Sequence, residues 1–303
     1  MKAHVLVVIS AVTGVLSGAC VEATSDPTAS PPVLRNVIIY TTTASGSWQL
    51  EVMHPDGSGR RRITQDGADY YTPAISPDGR RIAAARFDGN IPSIYVMDAD
   101  GTNLKKIGRS SGDYGPAWSP DGLRIAFRST LDIGGNAYGR IFLMNADGTG
   151  LLQLTEDPTP SDGYSPYDDC PRWSPDGNKI LFTRNGMLHT MNVDGTGLTS
   201  LGNEDGSGPA DWSPDGTRIA YGSYWDGMDI RIRNADGSGR VGLTTAETQE
   251  DGPSWSPDGQ RLVFERIVDG RAKLFVMRTD GTGEVGLTTG YPHQTQPSWS
   301  PVP

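Results

Sequence analysis

Pro116-Ala117-Trp118-Ser119-Pro120-Asp121-Gly122, followed by Arg124-Ile125-Ala126-Phe127-Arg128, is the stretch that decides the fold. Its apolar head reads as a strand and the alternating segment after it as a second strand. Between them, proline presets φ at the first central position of a turn and glycine accepts the left-handed conformation, so the chain reverses directly. The same Ser-Pro-Asp-Gly recurs at Ser76–Gly79, Ser174–Gly177, Ser213–Gly216 and Ser256–Gly259, and a truncated Ser300-Pro301 closes the chain. A second mark, Asp-Gly after an apolar run, falls at Asp56, Asp100, Asp147, Asp194, Asp236 and Asp280, at intervals of 44, 47, 47, 42 and 44 residues. That period is the length of a four-stranded propeller blade. In the third unit the remaining strands are Ile141–Met144 and Leu151–Thr155, and Ser129 to Arg140 is read as a long loop.

The two ends complete the pattern. Val37-Ile38-Ile39-Tyr40 is a second-type strand with no Ser-Pro-Asp-Gly before it, and Gln296-Pro297-Ser298-Trp299 is a first-type strand with nothing after it. The last strand is therefore expected to fill the empty inner position of the first blade, leaving no open sheet edge. The fold class is all-β, a closed six-bladed β-propeller over residues 36–303. At these residues the sequence resembles the TolB-like propellers, whose repeats read Pro-x-Trp-Ser-Pro-Asp-Gly, a strand, an Ile-Tyr-x-Met-like strand and Asp-Gly. Ile94-Tyr95-Val96-Met97 with Asp100-Gly101 is the closest copy. The resemblance implies that the first strand of each unit is innermost. It also brings in a periplasmic role in the Tol–Pal envelope system, for which the family member TolB carries an α/β domain ahead of the propeller. A propeller without that domain is expected here.

The remaining composition fits a turn-rich exported protein. Glycine and proline are abundant, with 39 and 22 copies among 303 residues, and the net charge of −10 opposes nucleic acid and anionic membrane surfaces. Residues 1–19 show Lys2, a short apolar run and small residues, the pattern of a secretory signal. Leu16-Ser17-Gly18-Ala19-Cys20 resembles a bacterial lipobox, so lipidation of Cys20 is expected, with ordinary signal cleavage as the alternative. Residues 20–35 are small, polar and proline-rich, a tether reaching up to about 45 Å at roughly 3.1 Å per residue. The expected location is the periplasm or cell surface, with the membrane touched only through the lipid. Cys170, the other cysteine, reads as a buried small hydrophobe.

Antiparallel connectivity puts all the near-identical turns on one face of the disc and the loops of changing length on the other. Just before or within the variable-face loops stand Asp69, Tyr71, Asp113, Tyr114, Tyr164, Tyr167, Asp168, Asp169, Trp225, Glu250, Asp251, Tyr291 and His293. They are expected to ring the channel mouth as an acidic, aromatic funnel for a basic peptide, a sugar or a cation such as calcium. The alternative is that they are ordinary loop formers in an acidic protein. Trp118, Trp173, Trp212, Trp255 and Trp299 repeat at one strand position, where Ile75 substitutes, and read as core layers between blades. Asp98-Ala99-Asp100-Gly101 reads as a hairpin turn in preference to a calcium loop. Neither a nucleophile elbow nor a histidine-rich metal set is present, and no cofactor is expected. The leading reading is a non-catalytic, monomeric binding module for an envelope or secreted protein or peptide. The alternative is a carbohydrate-binding or carbohydrate-processing propeller.

Overall fold

The computed structural model describes residues 32–109, 112–133, 136–156, 166–202, 207–224, 227–245, 248–290 and 292–302. The signal segment, Cys20, the tether to residue 31, Tyr164, Trp225 and Tyr291 lie outside the described residues. The described chain forms six four-stranded antiparallel sheets. Their inner strands are Gln294–Trp299 in blade 1, Tyr70–Ile75 in blade 2, Tyr114–Trp118 in blade 3, Asp168–Trp173 in blade 4, Ser207–Trp212 in blade 5 and Glu250–Trp255 in blade 6. In blade 1 the order is Gln294–Trp299, Ile38–Thr42, Gln49–Met53, Arg61–Arg62, so the last strand does close the first blade.

Each Ser-Pro-Asp-Gly turn is built the same way. In blade 2 Gly79 N donates to Ser76 O at 2.8 Å, Arg81 N donates to Ser76 Oγ at 2.9 Å, and Ser76 Oγ donates to Asp78 Oδ1 at 2.6 Å. Gly79 has φ 70, a conformation open to glycine at little cost. Blade 1 has no covalent turn at this point, yet it repeats the hydrogen bonds: Ser300 N donates to Val37 O at 2.8 Å and Val37 N to Ser300 Oγ at 3.2 Å. Ring closure thus copies the hairpin without a peptide link. Leu34, placed in the tether by the sequence, is buried in the cluster between blades 1 and 2, and its N–H donates to Gly79 O at 2.8 Å. Its apolar side chain and its backbone both gain by docking.

The aromatic layer sits between blades. Trp173 packs with Ala117, Ile141 and Leu143 of blade 3 and with Ile180 and Phe182 of its own blade. Indole N–H groups of Trp118, Trp173 and Trp255 donate to Ala74 O, Ala117 O and Asp211 O of the preceding blade at 3.1, 3.1 and 3.2 Å. Arg81, Arg124, Arg218 and Arg261, each opening a second strand, lie over the indole of the next blade at 4.6 to 5.1 Å. At the seam of blades 4 and 5 the same position holds Lys179, which makes no such contact with Trp212.

Two local expectations are corrected. Ser129 to Arg140 is not a loop: strands Arg124–Ile133 and Asn136–Asn145 pair along their whole length, Ser129 facing Arg140 and Thr130 facing Gly139. Backbone pairing needs no apolar alternation, so a polar stretch extends the hairpin. Cys170 is less buried than expected, although burial still pushes its thiol up. It is half-buried with φ 53 at a bulge and lines the central channel.

Candidate functional site

Every inner strand carries one β-bulge against its neighbour, between Tyr71 and Ala74, Tyr114 and Ala117, Asp169 and Arg172, Asp251 and Ser254, Thr295 and Ser298, and Ser207 and Ala210. Proline cannot donate to the ladder and lies in each of these gaps, which is why the irregularity recurs. Beyond the bulge, the strand heads alternate strictly. Tyr70, Asp113, Asp168, Glu250 and Gln294 are buried, and the residue after each one, Tyr71, Tyr114, Asp169, Asp251 and Thr295, is half-buried.

The funnel read from the sequence therefore separates into two layers. Asp113 accepts from Ser129 Oγ at 2.7 Å and Arg109 N at 2.8 Å. Asp168 takes both Arg184 Nε and Nη2, at 2.6 and 2.9 Å. Glu250 pairs with Arg266, which also holds Glu284, and burial pushes its carboxyl up. Asp69 accepts from Trp48 N at 2.8 Å. These four acids staple loops and blades.

The second layer opens into the channel. Asp169, Asp251 and Tyr114 line its variable-face cavity of about 110 Å³ together with Cys170, Glu265 and Gln296. Burial pushes Asp251 up to about 6 against the hydrogen bond from Gly252 N, and Glu265 adds to the rise. Tyr224 Oη donates to Asp251 at 2.9 Å, and a Cβ on either Gly208 or Gly222 would collide with its carboxylate. Glu265, itself pushed up by burial, accepts from Thr295 Oγ1 and from Gln296 N at 2.8 Å. Arg128 Nε lies 3.6 Å from Asp169 and its guanidinium 5.5 Å from the exposed Tyr167 ring. An aromatic arc continues round the mouth: Tyr71 meets Trp48, Phe87 and Tyr114 at 5.5, 5.4 and 6.1 Å, and Trp48 meets His293 at 6.1 Å. Trp48, Glu265, Cys170 and Gln296 were missed because each sits inside a strand or an unmarked loop. Among the described residues no three His, Cys, Asp or Glu are grouped to hold a metal.

The larger opening is on the other face. A cavity of about 370 Å³ is rimmed by the turn prolines Pro77, Pro120, Pro175, Pro214, Pro257 and Pro301, and walled by the five tryptophans and Ile75. Its floor is the residue before each of these: Ala74, Ala117, Arg172, Asp211, Ser254 and Ser298. Arg172, Ser254 and Ser298 also line the variable-face cavity, so they form the waist of the channel. Asp211 accepts from Ser254 Oγ at 3.2 Å and Trp255 N at 3.0 Å; burial pushes its carboxyl up, against the nearby Arg172 charge.

The fold agrees with what known proteins show. Over 146 residues the chain is 29% identical to the Tol-Pal system protein TolB of Anaeromyxobacter dehalogenans (strain 2CP-C) and, equally, to that of Anaeromyxobacter sp. (strain K). These alignments span 48% of this chain and 31% of each relative's length. The crystal structure of TolB from Acinetobacter baumannii shares the fold with a TM-score of 0.73 at 22% identity, over 88% of this chain and 66% of that one. The family description PD40, TolB beta propeller domain, matches residues 26–303, and the chain belongs to that family.

Proposed function

We propose that this chain is an exported, non-catalytic binding module that engages a protein or peptide of the cell envelope through its variable face, and that lipid on Cys20 holds it at a membrane. The observation that carries the reading is the channel layer of the strand heads. Asp169, Asp251 and Glu265 share one cavity with Tyr114, beside the arc of Trp48, Tyr71 and His293. Acids that are half-buried and not fully paired, next to partly exposed aromatic rings, suit a basic segment that supplies both cation and apolar stem. The similarity to Tol-Pal system proteins points to the envelope as the place to look.

Capture from an envelope extract tests it. Mature protein with Cys20→Ser is immobilised beside the same protein carrying Asp169→Asn, Asp251→Asn and Glu265→Gln. The expected result is a partner retained by the first, lost at least tenfold by the second, and released by salt. Equal capture by both overturns the acidic mouth as the site. Mass spectrometry of the native N-terminus tests the anchor, an unmodified Cys20 or a different first residue ruling it out.

A further inference from the structure

The channel has a second end, whose floor carries the cation Arg172 beside Asp211, and it owes nothing to the variable-face reading. Arg172 stands on the floor of the 370 Å³ cavity, where the other blades carry alanine, serine or aspartate. A guanidinium has five N–H donors in a planar fork. Here one hydrogen bond is made, Nη1 to Pro171 O at 3.0 Å, and no carboxylate among the described residues lies within ion-pair distance. Asp211 stands on the same floor and feels the Arg172 charge, and its Oδ2 accepts from Ser254 and Trp255.

The surrounding wall presents indole rings and prolines rather than free donors. Three indole N–H groups are satisfied by the blade before them, but those of Trp212 and Trp299, both in this wall, are buried and find no acceptor among the described residues. Those two indole N–H groups are sealed away from the cavity, so the donors a ligand can reach are the free N–H groups of Arg172, which suit oxygen lone pairs. The size is that of a small-ligand or short-peptide cleft. The collar of prolines and indole edges offers apolar contact to a peptide stem, and the fork of arginine matches the two oxygens of a carboxylate. Arg172 lines both cavities, and the acids Asp169, Asp251 and Glu265 on the other one favour approach of an anion from this side.

We infer that the turn-face cavity is a second binding site, which takes the free C-terminal carboxylate of a peptide, with Arg172 as the residue that binds the anion. The probe is acetyl-Ala-Pro-Ala with a free carboxylate, compared with its C-terminal amide and with acetate, titrated into the intact mature protein by calorimetry and by tryptophan fluorescence. The expected result is that the acid binds at least tenfold more tightly than the amide and than acetate. Arg172→Gln should erase that difference, Arg172→Lys should keep part of it, and the Asp169/Asp251/Glu265 variant should leave it intact. Equal binding of acid and amide, undiminished binding to Arg172→Gln, or no binding of the acid at millimolar concentration overturns the site. Acetate binding as tightly as the peptide overturns the peptide part. The acid–amide comparison on the unaltered protein stands even if the glutamine variant fails to fold. A failure of envelope capture with success here, or the reverse, separates the two ends.

Discussion

Asp168 and Asp169 are neighbours in the chain and belong to different regions of the molecule. The first is buried and held twice by Arg184; the second faces the channel, with a hydrogen bond from Cys170 N at 2.8 Å and Arg128 only at 3.6 Å. Glu250 and Asp251 repeat the contrast in blade 6, and Asp113 and Tyr114 in blade 3. One step along a strand turns a side chain to the opposite face, so the same acidic dipeptide supplies one structural charge and one charge available to a partner. An acid-rich loop on a propeller is thus two populations, and counting its carboxylates overstates the binding surface.

The largest effect should come from breaking the ring on which both layers depend. Deleting Gln294 to Pro303 removes the inner strand of blade 1, its tryptophan and the Ser300 bonds to Val37. The expected result by calorimetry is loss of the cooperative transition, or a fall of more than about 10 °C in Tm. Next comes the comparison itself. Asp168→Asn leaves Arg184 facing a neutral amide in a buried pair, and should cost about 3 kcal/mol or more, some 10 °C in Tm; Asp169→Asn should stay within about 0.5 kcal/mol. Equal costs in urea titrations would erase the two-layer distinction. For the same reason, variants at Asp113 or Asp168 are unsuited to testing the binding face.

A pH scan sharpens the contrast at Asp251. Its folded pKa of about 6 lies above the ordinary carboxylate value, so the native state holds the proton more tightly than the unfolded chain. That contribution is fully present below about pH 4 and is lost as pH rises through about 6. Tm should therefore climb between pH 7 and 5, and Asp251→Asn should flatten the climb. The turn acids such as Asp121, held below the usual range by hydrogen bonds from Ser119 and Leu123, titrate lower and stay out of this window. The smallest effect is a gain. Lys179→Arg should place a guanidinium over Trp212 as in four of the other seams, adding about 0.5–1 kcal/mol and roughly 1–4 °C.

Much of this was legible in the residues. Blade count, strand order, turn chemistry, the closing strand and the tryptophan layer follow from a repeat that states them several times over, each copy independent of distant contacts. The extended hairpin at Ser129–Arg140 was not legible, because backbone pairing between polar residues leaves no periodic mark. The docking of Leu34 was hidden too, since one apolar residue in a proline-rich segment looks like tether.

The candidate site divides along the same line. By itself the sequence determined that acids and aromatics gather at the heads of the inner strands, because those positions repeat in register. Which of two adjacent acids faces the channel was decided only in three dimensions. Counting back from Trp173 by simple alternation would turn Asp168 to the channel and Asp169 to the core; the bulge at Cys170-Pro171 adds one residue and reverses the order. One residue before each tryptophan the side chain meets the channel floor, and there Asp211 of blade 5 comes beside Arg172 of the preceding blade. Those two residues are 39 positions apart, and only the closure of six blades around one axis brings their charges together. A local repeat encodes each blade, whereas the phase of its pleat and the company of its side chains belong to the assembled ring.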